Sequence, residues 1–408
     1  MSADPDSCLS ECDCVAYASW LTFTANEANG YGTVRSSSVK RAKIFLVGFY
    51  GMDNLGDDAI RDSIERASDK LGAEICHYAV RTERPGEPRA VHLRGPGWRA
   101  YLHAIWNADR VVIGGGGLLK DQGTKPWQGY GLLLELLGTA ALARLLGKSV
   151  ALVGIGVGPI YTRLGAWLIG RIARLAGCRL VRDQASADFL ERLGVRDVEV
   201  CADPVFSMRD RMLSGDERAE MQRWPPRRML ISARPWYLIA PDGAKRWPRL
   251  VAAIAKMADE AIDDGLKIEF ACLDWPKDRA VAEEIVAAMR HGEQARIPLT
   301  AINWWGLTDG LRSSDILVSM RYHAVVCATM ARTPVFALAY EPKVISLAED
   351  VGIPMVDVND RTQVESISAE VRAFREADTS VPQSAIVDSA TTCMSVSAWR
   401  GLTKALTM

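Results

Sequence analysis

Lys43-Ile44-Phe45-Leu46-Val47-Gly48-Phe49-Tyr50-Gly51-Met52-Asp53-Asn54-Leu55-Gly56-Asp57-Asp58-Ala59-Ile60 is the stretch that decides the fold. Ile44-Phe45-Leu46-Val47 is a short, unbroken apolar run, the signature of a strand covered on both faces. Glycines then turn the chain, and Asp57-Asp58 open a helix that the pattern carries to about residue 71. The same grammar recurs. Residues 110–113 run into Gly114-Gly115-Gly116-Gly117. Residues 149–153 run into Gly154-Ile155-Gly156-Val157-Gly158-Pro159. Residues 179–181 run into Arg182-Asp183 and a helix over about 185–193, and residues 198–200 end at Ala202-Asp203-Pro204. Buried strands alternating with helices predict a parallel sheet, whose ligands bind at the carboxyl ends of the strands.

The pattern breaks at 209–228, which is charged and carries Pro225-Pro226, and then restarts. Strands are expected over 228–233, 267–273, 315–319 and 334–340, with helices over 246–264, 278–289 and 322–331. The expected organisation is an N-terminal extension (1–40), a Rossmann-like domain (41–208), a linker (209–228), a second Rossmann-like domain (229–362) and a helical segment that packs back (363–408). The fold class is therefore α/β, two doubly wound domains facing a cleft. That is the layout of GT-B type transferases, an analogy of shape.

Composition narrows the function. The chain has 408 residues, and 49 Lys plus Arg against 50 Asp plus Glu leave a formal charge of -1, which argues against a general nucleic-acid binder. Nine cysteines, most in apolar surroundings, read as thiols of a reducing compartment. Cys8, Cys12 and Cys14 lack a fourth ligand at zinc-finger spacing and read as incidental thiols of a tail. The longest apolar stretch, 131–146, is interrupted by Glu135 and Arg144, so no membrane span is expected. Acidic residues precede the apolar run near the start, against a secretory signal, and the expected location is cytoplasmic. Arg163, Arg171 and Arg174 lie in or beside the apolar stretch 167–175. They read as a solvated surface helix in preference to a contact with the inner face of an anionic membrane.

Candidate site residues cluster at the strand ends. Asn54 can cap its turn. Asp57 is either a helix cap or a base, and its acidic loop, which lacks GxGxxG, suits hydroxyls better than phosphates. The glycine runs at 114–117 and 154–158 allow either close ligand approach or close packing. Arg182 pairs locally with Asp183 or faces the cleft. Arg234, Arg321 with His323, and Lys343 stand at the corresponding edges of the second half. Arg182, Arg321, His323 and Lys343 converging from four loops would hold a small, highly charged anion.

Taken together, these segments resemble the bacterial polysaccharide pyruvyltransferases. The carriers are Gly51 to Ile60, Gly114–Gly117, Gly154-Ile155-Gly156, Val181-Arg182-Asp183, Ser232-Ala233-Arg234-Pro235-Trp236, Arg321-Tyr322-His323-Ala324 and the stretch from Thr333-Pro334 to Lys343. The resemblance spans about 43–354. It implies a GT-B-like fold and transfer of the enolpyruvyl carbons of phosphoenolpyruvate to two hydroxyls of a sugar, giving a cyclic ketal. It implies that Arg182, His323 and Lys343 hold the donor, with Arg321 and Arg234 beside them. The acceptor side would be Asn54, Gly56, Asp57, Gly115 and Gly116. His323 would act as the acid and Asp57 as the base, with no metal or cofactor besides the co-substrate phosphoenolpyruvate. The acceptor would be a saccharide, free or lipid-linked. Tyr322, where Leu or Phe is commoner, and the N-terminal extension depart from the pattern. Two other readings stand beside this one. The first is a GT-B glycosyltransferase whose Glu341 or Glu349 takes a nucleotide ribose, and the second is a non-catalytic protein that binds a saccharide or phosphometabolite.

Overall fold

The computed structural model describes residues 41–79, 90–91, 97–121, 128–213, 227–238, 242–377 and 382–408. The expected N-terminal extension with Cys8, Cys12 and Cys14 lies outside the described residues. The first half supplies β1 (Lys43–Tyr50), α1 (Leu55–Lys70), β2 (Glu74–Ala79), β3 (Ala90–Val91), α2 (Gly97–Asn107), β4 (Arg110–Leu119), α3 (Gln128–Leu145), β5 (Ser149–Val157), α4 (Arg163–Leu175), β6 (Cys178–Val181), α5 (Gln184–Arg192) and β7 (Glu199–Val200). The second half supplies α6 (Arg209–Leu213), β8 (Arg228–Ser232), α7 (Gly243–Asp263), β9 (Lys267–Phe270), α8 (Lys277–Ala288), β10 (Ala295–Arg296), α9 (Trp304–Arg312), β11 (Ile316–Ser319), α10 (Tyr322–Ala331), β12 (Val335–Ala339), α11 (Pro342–Val351), β13 (Met355–Asp357), α12 (Arg361–Glu376) and α13 (Pro382–Thr407).

Both sheets are parallel, in the orders β3-β2-β1-β4-β5-β6-β7 and β10-β9-β8-β11-β12-β13. Each is doubly wound, with its order reversing at β1/β4 and at β8/β11, the places where such sheets open a crevice. The expected α/β fold of GT-B type is what forms. Strand β1 shows why its sequence looks continuous. Ile44 and Leu46 face one core with α1, while Phe45 and Val47 face another with α2 to α5, so every position is apolar.

Strands β1, β4 and β5 run further than expected, β1 to Tyr50. β4 continues through Gly114–Gly117 and β5 through Gly154-Ile155-Gly156, each with an irregular register. Gly115, Gly116 and Gly154 sit at positive φ of 62°, 79° and 60°. A Cβ on Gly115 would fall 2.0 Å from Ile60 Cγ2, and one on Gly154 2.3 Å from Pro204 Cδ. The expectation that Gly115 contacts an acceptor is corrected here. This buried glycine makes room for α1 and offers no open face.

The last helix, α13, returns to the first half. Arg110 Nη1 donates to Ala405 O at 3.3 Å, Ala202 N donates to Ser397 Oγ at 3.1 Å, and Lys404 pairs with Glu199. Asp388 of α13 binds Arg209 at 2.6 Å and Arg332 at 2.7 Å, tying α6 and the end of α10 to the last helix. The stretch read as a linker begins with α6, whose Met212 is fully buried. A second staple lies at the cleft, where Leu55 N donates to Leu273 O at 2.8 Å and Asn54 bridges to Asp274.

Gly115→Ala should cost about 2–5 kcal/mol, from a left-handed backbone and a forced overlap with Ile60. Urea unfolding should show the loss. An unchanged midpoint would mean that α1 shifts freely.

Candidate functional site

The facing carboxyl edges of the two sheets bring the polar residues together. After β1, Asn54 caps α1. Its Oδ1 accepts from Gly56 N at 3.2 Å, and its Nδ2 donates to Asp57 Oδ2 at 2.7 Å. One side chain thus fixes the helix start and the orientation of Asp57. Burial pushes the Asp57 carboxyl up, and the neighbouring His323 and Lys120 draw it partly back. Gly56 and Gly116 provide clearance. A Cβ on Gly56 would lie 2.0 Å from His323 Nδ1, and one on Gly116 2.8 Å from Asp57 Oδ1. The set read as acceptor-side and the set read as donor-side therefore meet, with Asp57 beside His323.

Arg182 follows β6 and is buried. Its Nη1 lies 3.5 Å from Asp203 Oδ2, and its Nε lies 3.7 Å from Asp183 Oδ2. Its guanidinium stacks 4.8 Å above the Tyr322 ring. Tyr322, the departure from the family pattern, supplies a face for the cation and meets the His323 ring edge-on. A Cβ on Gly156 would lie 2.5 Å from Arg182 Nη2, so that glycine clears the guanidinium.

His323, the second residue of α10, points its Nε2 at the same Asp203 Oδ2, 3.5 Å away. Asp203 also caps the 3-10 turn Pro204–Met208 by accepting from Val205 N at 3.1 Å. Burial pushes the Asp203 carboxyl up, but His323, Arg182 and the Val205 N–H outweigh it and hold the group below its ordinary range. Arg182 Nε, Asp203 Oδ2, Arg234 Nε and His323 Nε2 are buried with no hydrogen-bond partner.

Across the cleft, Arg234 Nη1 bonds Tyr340 Oη and lies 3.5 Å from Glu341 Oε1. Lys343, the second residue of α11, places Nζ 2.5 Å from Glu341 Oε2. Burial favours a neutral Glu341, but Lys343 and Arg234 prevail and hold it at about 2. Burial lowers Lys343, with Glu341 opposing and Arg182 assisting, to about 8. Lys343 and Arg182 line one pocket with Asp203 and Tyr322. Lys120, at the end of β4, is lowered by burial and supported by Asp57 and Glu341, so it feels both halves.

Arg321 is different, and its expected place among the anion-binding cations is corrected. Its Nε donates to Asp278 Oδ2 at 2.9 Å, its Nη2 bonds Asp278 Oδ1, and Asp274 lies 3.4 Å away. Asp278 also accepts from Leu273 N and Asp274 N, at 3.0 and 2.9 Å. Arg321 thus secures the turn that binds Leu55 and Asn54, and its charge is already matched.

Asp203 and Lys120 were not read as site residues from the sequence. Lys120 had a signal, since it directly follows the buried strand β4, the position that singled out Arg182, whereas Asp203 lies three residues past the exposed two-residue strand β7. Among the described residues no cluster of three His, Cys, Asp or Glu is placed to hold a metal.

A family model described as "Polysaccharide pyruvyl transferase" matches residues 54–342. No curated protein matches the chain significantly. Among solved structures, Anabaena Alr3699/HepE in complex with UDP-glucose superposes with a TM-score of 0.56 at 10% identity, covering 90% of this chain and 99% of that one. The UDP-GlcNAc 2-epimerase of Methanocaldococcus jannaschii gives a TM-score of 0.54 at 15% identity, covering 83% and 93%. At such identities the likeness shows the shared two-domain fold.

Arg321→Met leaves Asp278 charged and buried without its partner, which should cost about 3–5 kcal/mol of stability. Denaturant unfolding checks this. A variant of normal stability whose folded fraction has lost anion affinity would return Arg321 to the binding set.

Proposed function

Because the chain belongs to the polysaccharide pyruvyl transferase family, we propose that this pyruvyltransferase moves the pyruvyl carbons of phosphoenolpyruvate onto two hydroxyls of one saccharide, forming a cyclic ketal and releasing phosphate. The observation that carries this reading is the group of unpartnered buried nitrogens, Arg182 Nε, Arg234 Nε and His323 Nε2, beside Lys343 and Lys120. A phosphate and a carboxylate on one carbon would satisfy such a set, because each oxygen accepts charge-assisted hydrogen bonds.

The chemistry follows from the positions. His323 gives a proton to the methylene carbon as one sugar hydroxyl attacks the carbon bearing phosphate. Asp57, whose carboxyl is lifted by burial, accepts the proton of that hydroxyl. The C–O bond to phosphate then breaks, the second hydroxyl closes the ring, and its proton leaves with phosphate. Asp57 then returns its proton to His323 through solvent, which resets the site, so that in sum one hydroxyl proton ends on the new methyl group and one on phosphate. Asp203, held ionised between Arg182 and His323, orients the imidazole throughout. A nucleotide-sugar reaction finds less support. Glu341 is tied to Arg234 and Lys343, and Glu349 is exposed on α11.

The test is phosphate release from phosphoenolpyruvate in the presence of a mixed saccharide pool. Acceptor-dependent release is expected, and His323→Gln should slow it by ~10²–10⁴, the range for a lost acid or base. Release of a nucleoside diphosphate from a nucleotide sugar, or binding without turnover, would replace the reading.

Lys343 sets a pH dependence. Its charged form in the free enzyme is lost as pH rises through about 8, so kcat/KM for phosphoenolpyruvate should fall across that range. Lys343→Arg keeps the charge and should move the alkaline limb to higher pH. An identical limb in both proteins would take Lys343 out of donor contact.

A further inference from the structure

Helices α2, α3 and α4 cover one face of the first sheet, and their inner sides, such as Ile105, Leu136 and Ile172, are in its core. Their outer sides carry large apolar side chains. Trp98, Trp106, Leu134, Leu164 and Trp167 are each half or more exposed, and Tyr161, just ahead of α4, is 67% exposed. Single exposed apolar residues are ordinary, but three tryptophans on adjoining helices of one layer are not.

The charge on the same helices is equally one-sided. They contain five arginines, Arg99, Arg144, Arg163, Arg171 and Arg174, and one carboxylate, Glu135, although acids and bases are equal to within one over the whole chain. All five arginines are exposed, while Glu135 is only half-exposed and burial pushes its carboxyl up. The sequence favoured a solvated helix here. Its three arginines are exposed, Arg174 also donating to Leu193 O at 2.5 Å, and Leu164 and Trp167 stand exposed between them.

The face also adjoins the cleft. Asp121, next to Lys120, accepts from Tyr161 N at 2.7 Å, Thr162 N at 2.8 Å and Thr162 Oγ1 at 2.6 Å, which ties the start of α4 to the end of β4. Tyr130 of α3 donates to Thr162 Oγ1 at 2.9 Å and holds the two helix starts together.

We propose that this α2–α3–α4 face docks the protein on an anionic phospholipid bilayer, with its tryptophans at headgroup depth and its arginines on lipid phosphates. Indoles prefer the membrane–water boundary, where an apolar ring and an N–H are both satisfied, and exposed arginines add attraction to an anionic leaflet. Among the described residues no helix is long and apolar enough to cross a membrane, and this face attaches from the bilayer surface. It stands apart from the proposed reaction. It places the mouth of the cleft against the bilayer, where a lipid-linked saccharide would be presented.

The experiment is flotation of the full-length protein with phosphatidylcholine vesicles, with and without about one-third phosphatidylglycerol. Neither phosphoenolpyruvate nor acceptor is needed, so a failed reaction assay and a failed docking assay are told apart. Binding is expected to the anionic vesicles only and to weaken with salt. Reversing Arg163, Arg171 and Arg174 to Glu should weaken it about a hundredfold or more. Leu164→Glu with Trp167→Glu should abolish it while far-UV circular dichroism stays unchanged. No binding by the wild-type protein would overturn the proposal, as would equal binding by the charge-reversed variant. A wild-type dimer in sedimentation that Trp167→Glu dissociates, without vesicle binding, would assign the face to a second copy of the chain.

Discussion

One carboxylate oxygen, Asp203 Oδ2, stands 3.5 Å from Arg182 Nη1 and 3.5 Å from His323 Nε2, and the arrangement of the cleft depends on it. Arg182 belongs to the first sheet and His323 to the second. A buried carboxylate is costly unless opposite charge surrounds it. Asp203 has no exposed side-chain surface, so both partners are held toward it and the two sheet edges are held with them. The carboxylate is itself fixed by capping the turn at Pro204. The glycines complete the constraint. Gly56 lets the imidazole reach α1, and Gly156 lets the guanidinium reach β5. A side chain at either position would push apart the groups that Asp203 draws together.

Much of the fold is legible because parallel strands buried on two sides leave unbroken apolar runs. Helix α10 occupies the expected residues, and β1 and β6 lie where their runs stand. The glycine strands were misread for a physical reason. Glycine ordinarily punctuates, but in β4 it supplies the room that Ile60 and Asp57 require, and the ladder continues past a bulge. Helix α11 was missed at Pro342, which begins that helix where a strand edge was expected. Lys343 is consequently on a helix turn, yet still at the mouth of the cleft.

The site was legible by position and illegible by partner. Arg321 and His323 are two residues apart at one strand end, and nothing local separates them. The difference lies in what faces them: Asp278 at the start of α8 for Arg321, Asp203 after β7 for His323. Those acids are 43 and 120 residues away in the chain. Asp203 and Lys120 occupy the same kind of edge as Arg182. What hid them was an Asp-Pro step that reads as a turn and a glycine run that reads as a loop.

The charge within the cleft is not a simple excess of cations. Arg182, Arg234, Lys120 and Lys343 stand against Asp57, Asp183, Asp203 and Glu341. What differs is how the hydrogen-bonding capacity is spent. Asp183 accepts from Ser186 N at the start of α5, Asp203 caps its turn, and Glu341 bridges Arg234 and Lys343. The carboxylates are thus committed at most of their oxygens, while nitrogens of Arg182, Arg234 and His323 remain without acceptors. An incoming anion would meet donors already oriented and acceptors already engaged, which is how fixed dipoles select charge without a large net field. Lys343 adds adjustability. Its proton is held loosely at about 8, so a bound anion would strengthen it by the same opposite-charge effect that Glu341 exerts. Asp203 Oδ2, 3.5 Å from His323 Nε2, is the acceptor that faces the imidazole. On the proposed reading it steadies the ring as the proton departs, so the carboxylate that fixes the architecture also fixes the direction of the chemistry.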